Sequence, residues 1–148
     1  MELTFKHIVL KNGAISPTHI ANIIEMHNGG PSNIGGYNIF IGQVRSDKIE
    51  GKKVVAIEYS AYEEMAEQKI DEIILAALDK YNLNCIHINH SLGLVKAGEI
   101  CLFVLVTSKH RKDVFDACRE IVEQIKEQVP IWGKEIFEDN SYAWKENK

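Results

Sequence analysis

The stretch Ile100–Val106, with the sequence ICLFVLV, is almost wholly apolar and carries no charge. A strand with one solvent-facing side alternates between apolar and polar residues, whereas a strand buried on both faces does not. This stretch therefore predicts a central strand of a sheet that is covered on both sides.

A long amphipathic helix is predicted directly after this strand, from about Lys109 to Val129. Apolar residues recur there at spacings of three and four, which indicates a helix with one buried face. Thr107 or Ser108 is the expected N-terminal cap, and Pro130 ends the helix. The expected core stripe consists of Val114, Phe115, Cys118, Ile121, Val122, Ile125 and Val129.

The rest of the chain predicts two more helices and several strands. Ser16 caps a helix that begins at Pro17 and ends near His27, and another helix spans Glu63 to Tyr81. Strands are expected at residues 5–10, 37–45, 53–59, 85–92, 132–138 and 142–145. The short polar loop between the second and third of these strands predicts that the two pair in an antiparallel way.

The order of these elements predicts an α+β fold, with about three helices packed on a mainly antiparallel sheet. A chain of 148 residues, 45% of them hydrophobic, is expected to form one domain over residues 1–148, which can include a small antiparallel sub-lobe. The formal net charge of −4 argues against general nucleic-acid binding, since neutralising phosphates needs a surplus of basic residues. No apolar run approaches the roughly 18 residues of a membrane span, and the start lacks a basic-then-apolar leader, so we expect a cytoplasmic protein without a membrane partner.

The spacing of cysteines and histidines argues against a disulfide framework or a metal site. Cys85, Cys101 and Cys118 form no Cys-x-x-Cys pair and are expected to be small buried hydrophobic residues. His87 and His90 are three residues apart in a predicted strand, so their side chains face opposite sides. Phosphate-loop and serine-nucleophile motifs are also missing, and we predict neither a metal nor a bound cofactor.

Positively charged residues are the remaining candidates for chemistry. Arg45 ends a strand, the segment Lys109–Lys112 opens a helix, and Lys134 follows a Trp-Gly pair. Cations oppose the dipole at a helix N-terminus, so that segment is either a solvated first turn or a set of charges that serves a ligand. Lys126 borders the apolar stripe, where a lysine is either a half-desolvated group suited to proton transfer or a stem that covers the core.

The length of this helix separates two of the candidates. His110 and Lys126 are 16 residues apart, which is about 24 Å on one straight helix. They can act on one small ligand only if a second copy of the chain brings its helix start to this helix end. The spacing therefore predicts that a site using both residues is shared across a homodimer.

Several short motifs together resemble the catalytic (large) subunit of molybdopterin synthase. They occur in that family's order and spacing over about residues 35–145. The motifs are Phe40–Arg45 (FIGQVR), Ile57–Tyr59 with Ala61, Tyr62, Met65 and Ala66, His90–Gly93 (HSLG) with Ala97–Glu99, Val106–Arg111 (VTSKHR), and Lys126 with Pro130–Trp132, Lys134 and Glu135.

The resemblance implies a fold, a reaction and partners. The fold is of the α/β hammerhead type with an added antiparallel part. The reaction converts cyclic pyranopterin monophosphate to molybdopterin by transferring two sulfurs from the C-terminal thiocarboxylate of a small ubiquitin-like carrier subunit. The assembly is a homodimer with one small subunit at each outer end, a 2+2 heterotetramer. Because the sulfur arrives on the carrier, the chain needs no reactive cysteine.

The resemblance also implies roles for particular residues. Lys126 matches the family's principal catalytic lysine. The family's second important lysine falls on Gly133, so either Lys134 takes its place as a second catalytic lysine or that lysine is dispensable here. Gln43 also departs from the pattern, since a lysine is frequent at its position. The residues expected to bind substrate are Phe40, Gln43, Val44, Arg45, His110, Arg111, Lys126, Gly133, Lys134 and Glu135.

Two other interpretations use the same residues. A non-catalytic dimeric module that binds an anionic metabolite and regulates a partner would use Arg45, His110 and Arg111, but it would not need Lys126. A family member that has lost turnover through Gly133 would still bind the small subunit.

Overall fold

The computed structural model describes residues 5–30 and 33–145, with side chains from Ile8 onward. The helices and strands are α1 (Pro17–His27), α2 (Glu63–Lys80), α3 (Arg111–Gln128), β1 (Phe5–Asn12), β2 (Gly36–Gln43), β3 (Lys48–Ile49), β4 (Lys52–Ala61), β5 (Cys85–Lys96), β6 (Ile100–Ser108), β7 (Ile131–Phe137) and β8 (Tyr142–Trp144). Each predicted helix and strand is present, with bounds that differ by a few residues.

Strand β5 is the longest strand and joins two parts of the sheet. Residues 85–92 pair in parallel with β1, and residues 85–90 pair with β6 on the other side. Residues 93–96 then pair with β4. The main path is β2-β6-β5-β4-β7-β8, and every pairing except that of β1 with β5 is antiparallel. Three helices on a mainly antiparallel sheet confirm the predicted fold class.

The predicted pairing of β2 with the third predicted strand, which is β4, is wrong. β2 instead pairs along β6, from Gly36 opposite Ser108 to Gln43 opposite Ile100. The loop after β2 contains β3, and β3 is the strand that forms the hairpin with β4. The short loop did not decide the pairing because β6 is buried, so its N–H and C=O groups need strand partners on both edges.

The prediction that β6 is covered on both faces is confirmed. Leu102 and Val104 are buried in a core cluster that includes residues of α2 and α3. Phe103 and Leu105 are fully buried in a second cluster with Ile20 and other residues of α1. Since alternate residues of a strand point to opposite faces, β6 lies between these helix layers.

Helix α3 differs from its prediction at the start and in the stripe. β6 continues through Thr107 and Ser108, so the N-cap is His110, whose side chain makes no capping hydrogen bond. Phe115 was expected in the core but is 56% exposed, whereas Ala117 is fully buried. At 100° per residue, Phe115 falls just outside the buried arc that Ala117 occupies.

The first two helices follow their predictions more closely. The Ser16 hydroxyl accepts a hydrogen bond from the Thr18 N–H at 3.1 Å, and Pro17 is the first residue of α1. α2 buries Ala66, Ile70 and other residues of its stripe. Among the helices of the described residues, none is long and apolar enough to cross a membrane.

Candidate active site

A cavity of about 760 Å³ opens where the two parts of the sheet meet the C-terminal end of α3. Its walls come from β2 and the loop after it, from β4, β6 and β7, from the last turn of α3, and from the end of β8. Of the residues predicted to bind substrate, those that line this cavity are Phe40, Gln43, Val44, Arg45, Lys126, Gly133 and Glu135.

Lys126 stands in the last turn of α3, and its side chain lines the cavity while keeping access to solvent. Desolvation lowers the pKa of its ammonium group, and the positive charges of Lys145 and Arg45 lower it further, against opposing effects of Cys101 and Glu123. A lysine with a lowered pKa exchanges its proton closer to neutral pH than a solvated lysine does. Lys126 is therefore suited to acid–base chemistry.

The cavity is more positive than the chain as a whole. Among the residues that the structure describes, its lining contains Arg45, Lys126 and Lys145 but only two acids, Asp47 and Glu135, while the full chain has a net charge of −4. The Arg45 guanidinium lies 3.1 Å from the Asp47 carboxylate and remains largely exposed at the cavity mouth. This concentration of cations favours an anionic ligand.

Lys145 is a cavity residue that the sequence analysis missed. Its N–H donates a hydrogen bond to the Gly133 carbonyl at 2.8 Å, so the end of β8 lies directly beside β7. A Cβ added at Gly133 would lie 3.6 Å from the Lys145 Cβ and 3.0 Å from Cγ2 of Ile57. A side chain at position 133 would therefore be crowded, and Lys145 lines the cavity beside the position where the family's second lysine is expected.

Lys134 does not line the cavity. It lies between Gly133 and Glu135 on β7, both of which do, and adjacent residues of a strand face opposite sides. Its Nζ is 3.4 Å from Oε1 of Glu58 and 4.6 Å from the centre of the Tyr142 ring. The prediction that Lys134 binds substrate and acts as a catalytic lysine has no support from this placement.

His90 and Tyr59 add two neutral polar groups to the cavity wall, and neither was among the predicted site residues. Burial lowers the pKa of His90 to about 4, and the charges of Lys126 and Lys145 act in the same direction. His90 Nδ1 donates to the Ser91 carbonyl at 2.7 Å, which leaves Nε2 as an acceptor. Burial likewise raises the pKa of the Tyr59 phenol, with smaller effects from Cys101 and Glu135, so the hydroxyl stays protonated. The HSLG motif was the sequence signal that could have pointed to His90.

His110 and Arg111 are exposed at the opposite end of α3 and do not line the cavity. Gly35, just before β2, approaches the segment that leads into α3 so closely that a Cβ there would collide with the Lys109 carbonyl oxygen. The unbroken helix from Arg111 to Gln128 agrees with the separation expected from the sequence. Within one chain the structure does not bring His110 together with Lys126.

The cysteines behave as buried residues. Burial raises the pKa of both Cys85 and Cys118 to about 11, which disfavours the reactive thiolate. The structure also contains a juxtaposition that the sequence analysis missed, because potential ligand atoms of His27, Cys85 and His87 lie within 4.8 Å of one another. The sequence argument compared His87 with His90, whereas the relevant neighbours are Cys85, two residues away, and the distant His27.

Comparison with known proteins gives consistent matches. Residues 10–128 match the sequence profile of the family described as MoaE protein. The molybdopterin synthase catalytic subunit of Thermoplasma volcanium is 43% identical over 105 residues, which are 71% of this chain and 76% of that protein. The catalytic subunits from Oryza sativa subsp. indica and Bos taurus are 39% and 40% identical over 114 residues, or 77% of this chain. Those matches span only 58% and 60% of the two relatives.

Solved structures agree with the sequence matches. The crystal structure of molybdopterin synthase from Staphylococcus aureus has a TM-score of 0.79 at 32% identity, covering 95% of this chain and 96% of that one. A complex of subunits 1 and 2 of the molybdopterin-converting factor from Helicobacter pylori has the same TM-score at 19% identity, covering 95% and 91%, and it shows the fold alone. The fold is therefore that of the molybdopterin synthase structures. The chain belongs to the MoaE protein family.

Proposed function

We propose that this chain is the catalytic subunit of a molybdopterin synthase, a sulfurtransferase that converts cyclic pyranopterin monophosphate to molybdopterin in molybdenum cofactor biosynthesis. The observation that carries the proposal is the cavity in which desolvation and the charges of Lys145 and Arg45 lower the pKa of Lys126. The relatives named molybdopterin synthase catalytic subunit support the same reaction. In this proposal residues 1–148 act as one domain, and the reaction takes place in the cytoplasm.

The residues of the cavity suit the proposed substrate. A cyclic phosphate is an anion, and Arg45 and Lys145 supply the cations that would neutralise it. Lys126 would donate and accept the protons that move as the cyclic phosphate opens. The neutral His90 and Tyr59 would provide hydrogen bonds to the ligand without adding charge.

The sulfur donor in this proposal is the C-terminal thiocarboxylate of a small ubiquitin-like carrier subunit, whose tail enters the cavity. In each transfer one carbon–oxygen bond of the pterin side chain is exchanged for a carbon–sulfur bond, and the carrier leaves as a carboxylate. Two carriers are consumed for each molybdopterin. The Helicobacter pylori protein was solved as a complex of subunits 1 and 2 of the molybdopterin-converting factor, and the proposal extends such a pairing of two subunits to this chain.

The complete site requires a second copy of the chain. His110 and Arg111 are cations or potential cations at the far end of α3, too distant to reach the cavity of their own chain. A homodimer in which each copy brings its His110 and Arg111 to the other's Lys126 would complete the anion site. With one carrier per catalytic chain, the assembly is a 2+2 heterotetramer.

Lys145 takes the role that the resemblance assigned to a second lysine. The family's second lysine falls on Gly133, where a side chain would crowd Ile57 and Tyr59. Lys145 reaches the same part of the cavity from the neighbouring backbone. Gly133 is therefore compatible with turnover.

Reconstitution tests the proposal. The protein is mixed with thiocarboxylated carrier and cyclic pyranopterin monophosphate, and molybdopterin is measured as its fluorescent oxidised derivative. We expect product, with two carriers consumed for each molecule made. Formation of a complex with the carrier but no product would overturn the catalytic assignment and favour a subunit that has lost turnover. The absence of both product and complex would favour the regulatory anion-binding module.

A further inference from the structure

Three potential metal ligands meet on the side of the sheet that α1 covers, away from the cavity. His27 lies in the last turn of α1, and Cys85 and His87 lie at the start of β5. Residues two apart in a strand share a face, so Cys85 and His87 point the same way. Their potential ligand atoms and that of His27 all lie within 4.8 Å of one another, and none of the three residues lines the cavity described above.

The distances in this cluster approach those of a tetrahedral zinc site. Zinc–nitrogen bonds of 2.0–2.1 Å and zinc–sulfur bonds of 2.3 Å give a nitrogen–sulfur edge of about 3.6 Å. Nε2 of His27 is 3.2 Å from Sγ of Cys85, so these two atoms are already closer together than the nitrogen–sulfur edge of such a site. The ring centres of His27 and His87 are 5.1 Å apart with planes at 75°. The two separations that involve His87 are at most 4.8 Å, so reaching tetrahedral edges of about 3.3 Å between nitrogens and about 3.6 Å between nitrogen and sulfur shortens them by at most about 1.5 Å.

The surroundings of His27 orient Nε2, the ring nitrogen that can bind a metal, toward the cluster. Nδ1 of His27 lies 2.8 Å from the Ile23 carbonyl, which can only accept, so Nδ1 carries the proton. The Nε2 lone pair is then available toward Cys85. Metal-binding histidines are oriented by a hydrogen bond of this kind from the second ring nitrogen.

The burial of the cluster and its donor atoms indicate the type of ion. Cys85 and His87 are 4% and 2% exposed, while His27 is only partly buried and leaves a route from solvent. Two imidazole nitrogens and one thiolate suit zinc and similar transition-metal ions and do not suit magnesium or calcium, which prefer oxygen.

We propose that His27, Cys85 and His87 bind a zinc-class divalent ion, with a water molecule as the fourth ligand, and that this ion fastens the end of α1 to β5. Binding breaks the Cys85 S–H bond, forms a sulfur–metal bond and releases the proton to the solvent. The site is independent of the proposed catalytic function, and its test does not use activity.

Cobalt(II) and zinc provide the test on the full-length, chelator-treated protein. Cobalt is expected to bind at one ion per chain, with the visible bands of tetrahedral cobalt and a thiolate-to-cobalt charge-transfer band in the near ultraviolet. Cys85→Ser should lose the charge-transfer band, and Cys118→Ala, which removes an equally buried thiol outside the cluster, should keep it. A missing band in the parent protein, or its loss in Cys118→Ala, would overturn the proposal.

Thermal unfolding gives a second measurement, using a variant at the more exposed ligand. Zinc should raise the melting temperature of the parent protein and of Cys118→Ala, because an ion that binds only the folded state stabilises it. His27→Gln should fold without zinc and show little or no rise, and it tests the site even if Cys85→Ser fails to fold. An equal rise in His27→Gln would mean that zinc binds elsewhere and would contradict the proposed ligands.

Discussion

Lys134 on β7 and Lys145, which directly follows β8, differ in where their side chains point. Lys145 lines the cavity and lowers the pKa of Lys126, whereas Lys134 lies close to Glu58 and Tyr142. The resemblance had favoured Lys134 because it is adjacent in sequence to the departure at Gly133. Side chains alternate between the two faces of β7, so Lys134 faces away from the cavity, and Lys145 becomes the better candidate. The contact with β7 that places Lys145 cannot be predicted from the local sequence.

Replacing each lysine by glutamine tests this reversal. We expect Lys145→Gln to lower product formation roughly 10-fold or more, since it removes a cation that would face the substrate. Lys134→Gln also removes a positive charge from this region, but the side chain at position 134 does not face the cavity. The rate of this variant should therefore stay within about 2-fold of the parent rate. The measurement is initial rate in the reconstituted system. A larger loss in Lys134→Gln than in Lys145→Gln would restore Lys134 as the second catalytic lysine.

The pH dependence of the reaction should report the environment of Lys126. Desolvation and nearby cations disfavour its protonated form, so neutral Lys126 appears at a lower pH than for an ordinary lysine. If the neutral amine is the active form, the rate rises with pH through this lowered pKa. Lys145→Gln removes one of the cations, makes protonation of Lys126 easier and should move the rising limb to higher pH. If the rate of Lys145→Gln rises at the same pH as that of the parent, the Lys145 charge does not influence the pKa of Lys126.

For the helices and strands, local periodicity was sufficient wherever the burial of a segment depends only on the residues within that segment. It predicted α1, α2, α3 and the two-sided cover of β6, since each depends on a pattern within one segment. It failed for the partner of β2, which is set by the unmet hydrogen bonds of β6 rather than by the short loop. The seven predicted residues of the cavity come from segments that only the sheet brings together.

A matched pair of phenylalanines tests the packing of β6 against α1 and the position of the buried stripe of α3. Phe103 is fully buried in the cluster with α1, and Phe115 on α3 is 56% exposed although the sequence pattern placed it in the core. Phe103→Ala should lower the free energy of unfolding by about 3–5 kcal/mol, because it leaves a cavity in a close-packed core. Phe115→Ala should change it by less than about 1 kcal/mol. Urea unfolding measures both, and similar losses would show that the assignment of the stripe is wrong.

At the scale of the whole molecule, the length of α3 is the feature that links structure to assembly. His110 and Lys126 occupy its two ends, and the cavity contains only the second. The sequence alone predicted this separation, because helix length follows directly from residue count. Which surface would join two copies in the proposed dimer depends on contacts between chains, and periodicity does not predict it.

Mixed dimers test whether the site is shared. His110→Ala and Lys126→Ala should each be inactive alone. When the two are unfolded and refolded together, half of the dimers are mixed and each mixed dimer contains one intact site, so about one quarter of the parent activity should return. Each variant refolded by itself is the control. If no activity returns although mixed dimers form, the two residues do not act in a common site across the interface.

The most direct measurement of the central claim is product formation by Lys126→Ala in the reconstituted system. Lys69→Ala, which removes a lysine paired with Glu72 on α2, is the matched control. The account predicts that Lys126→Ala loses roughly 100-fold or more of the rate, with carrier binding on a sizing column and substrate binding by calorimetry largely retained, while Lys69→Ala matches the parent. Product formation by Lys126→Ala at the parent rate would contradict the assignment of this cavity as the catalytic site.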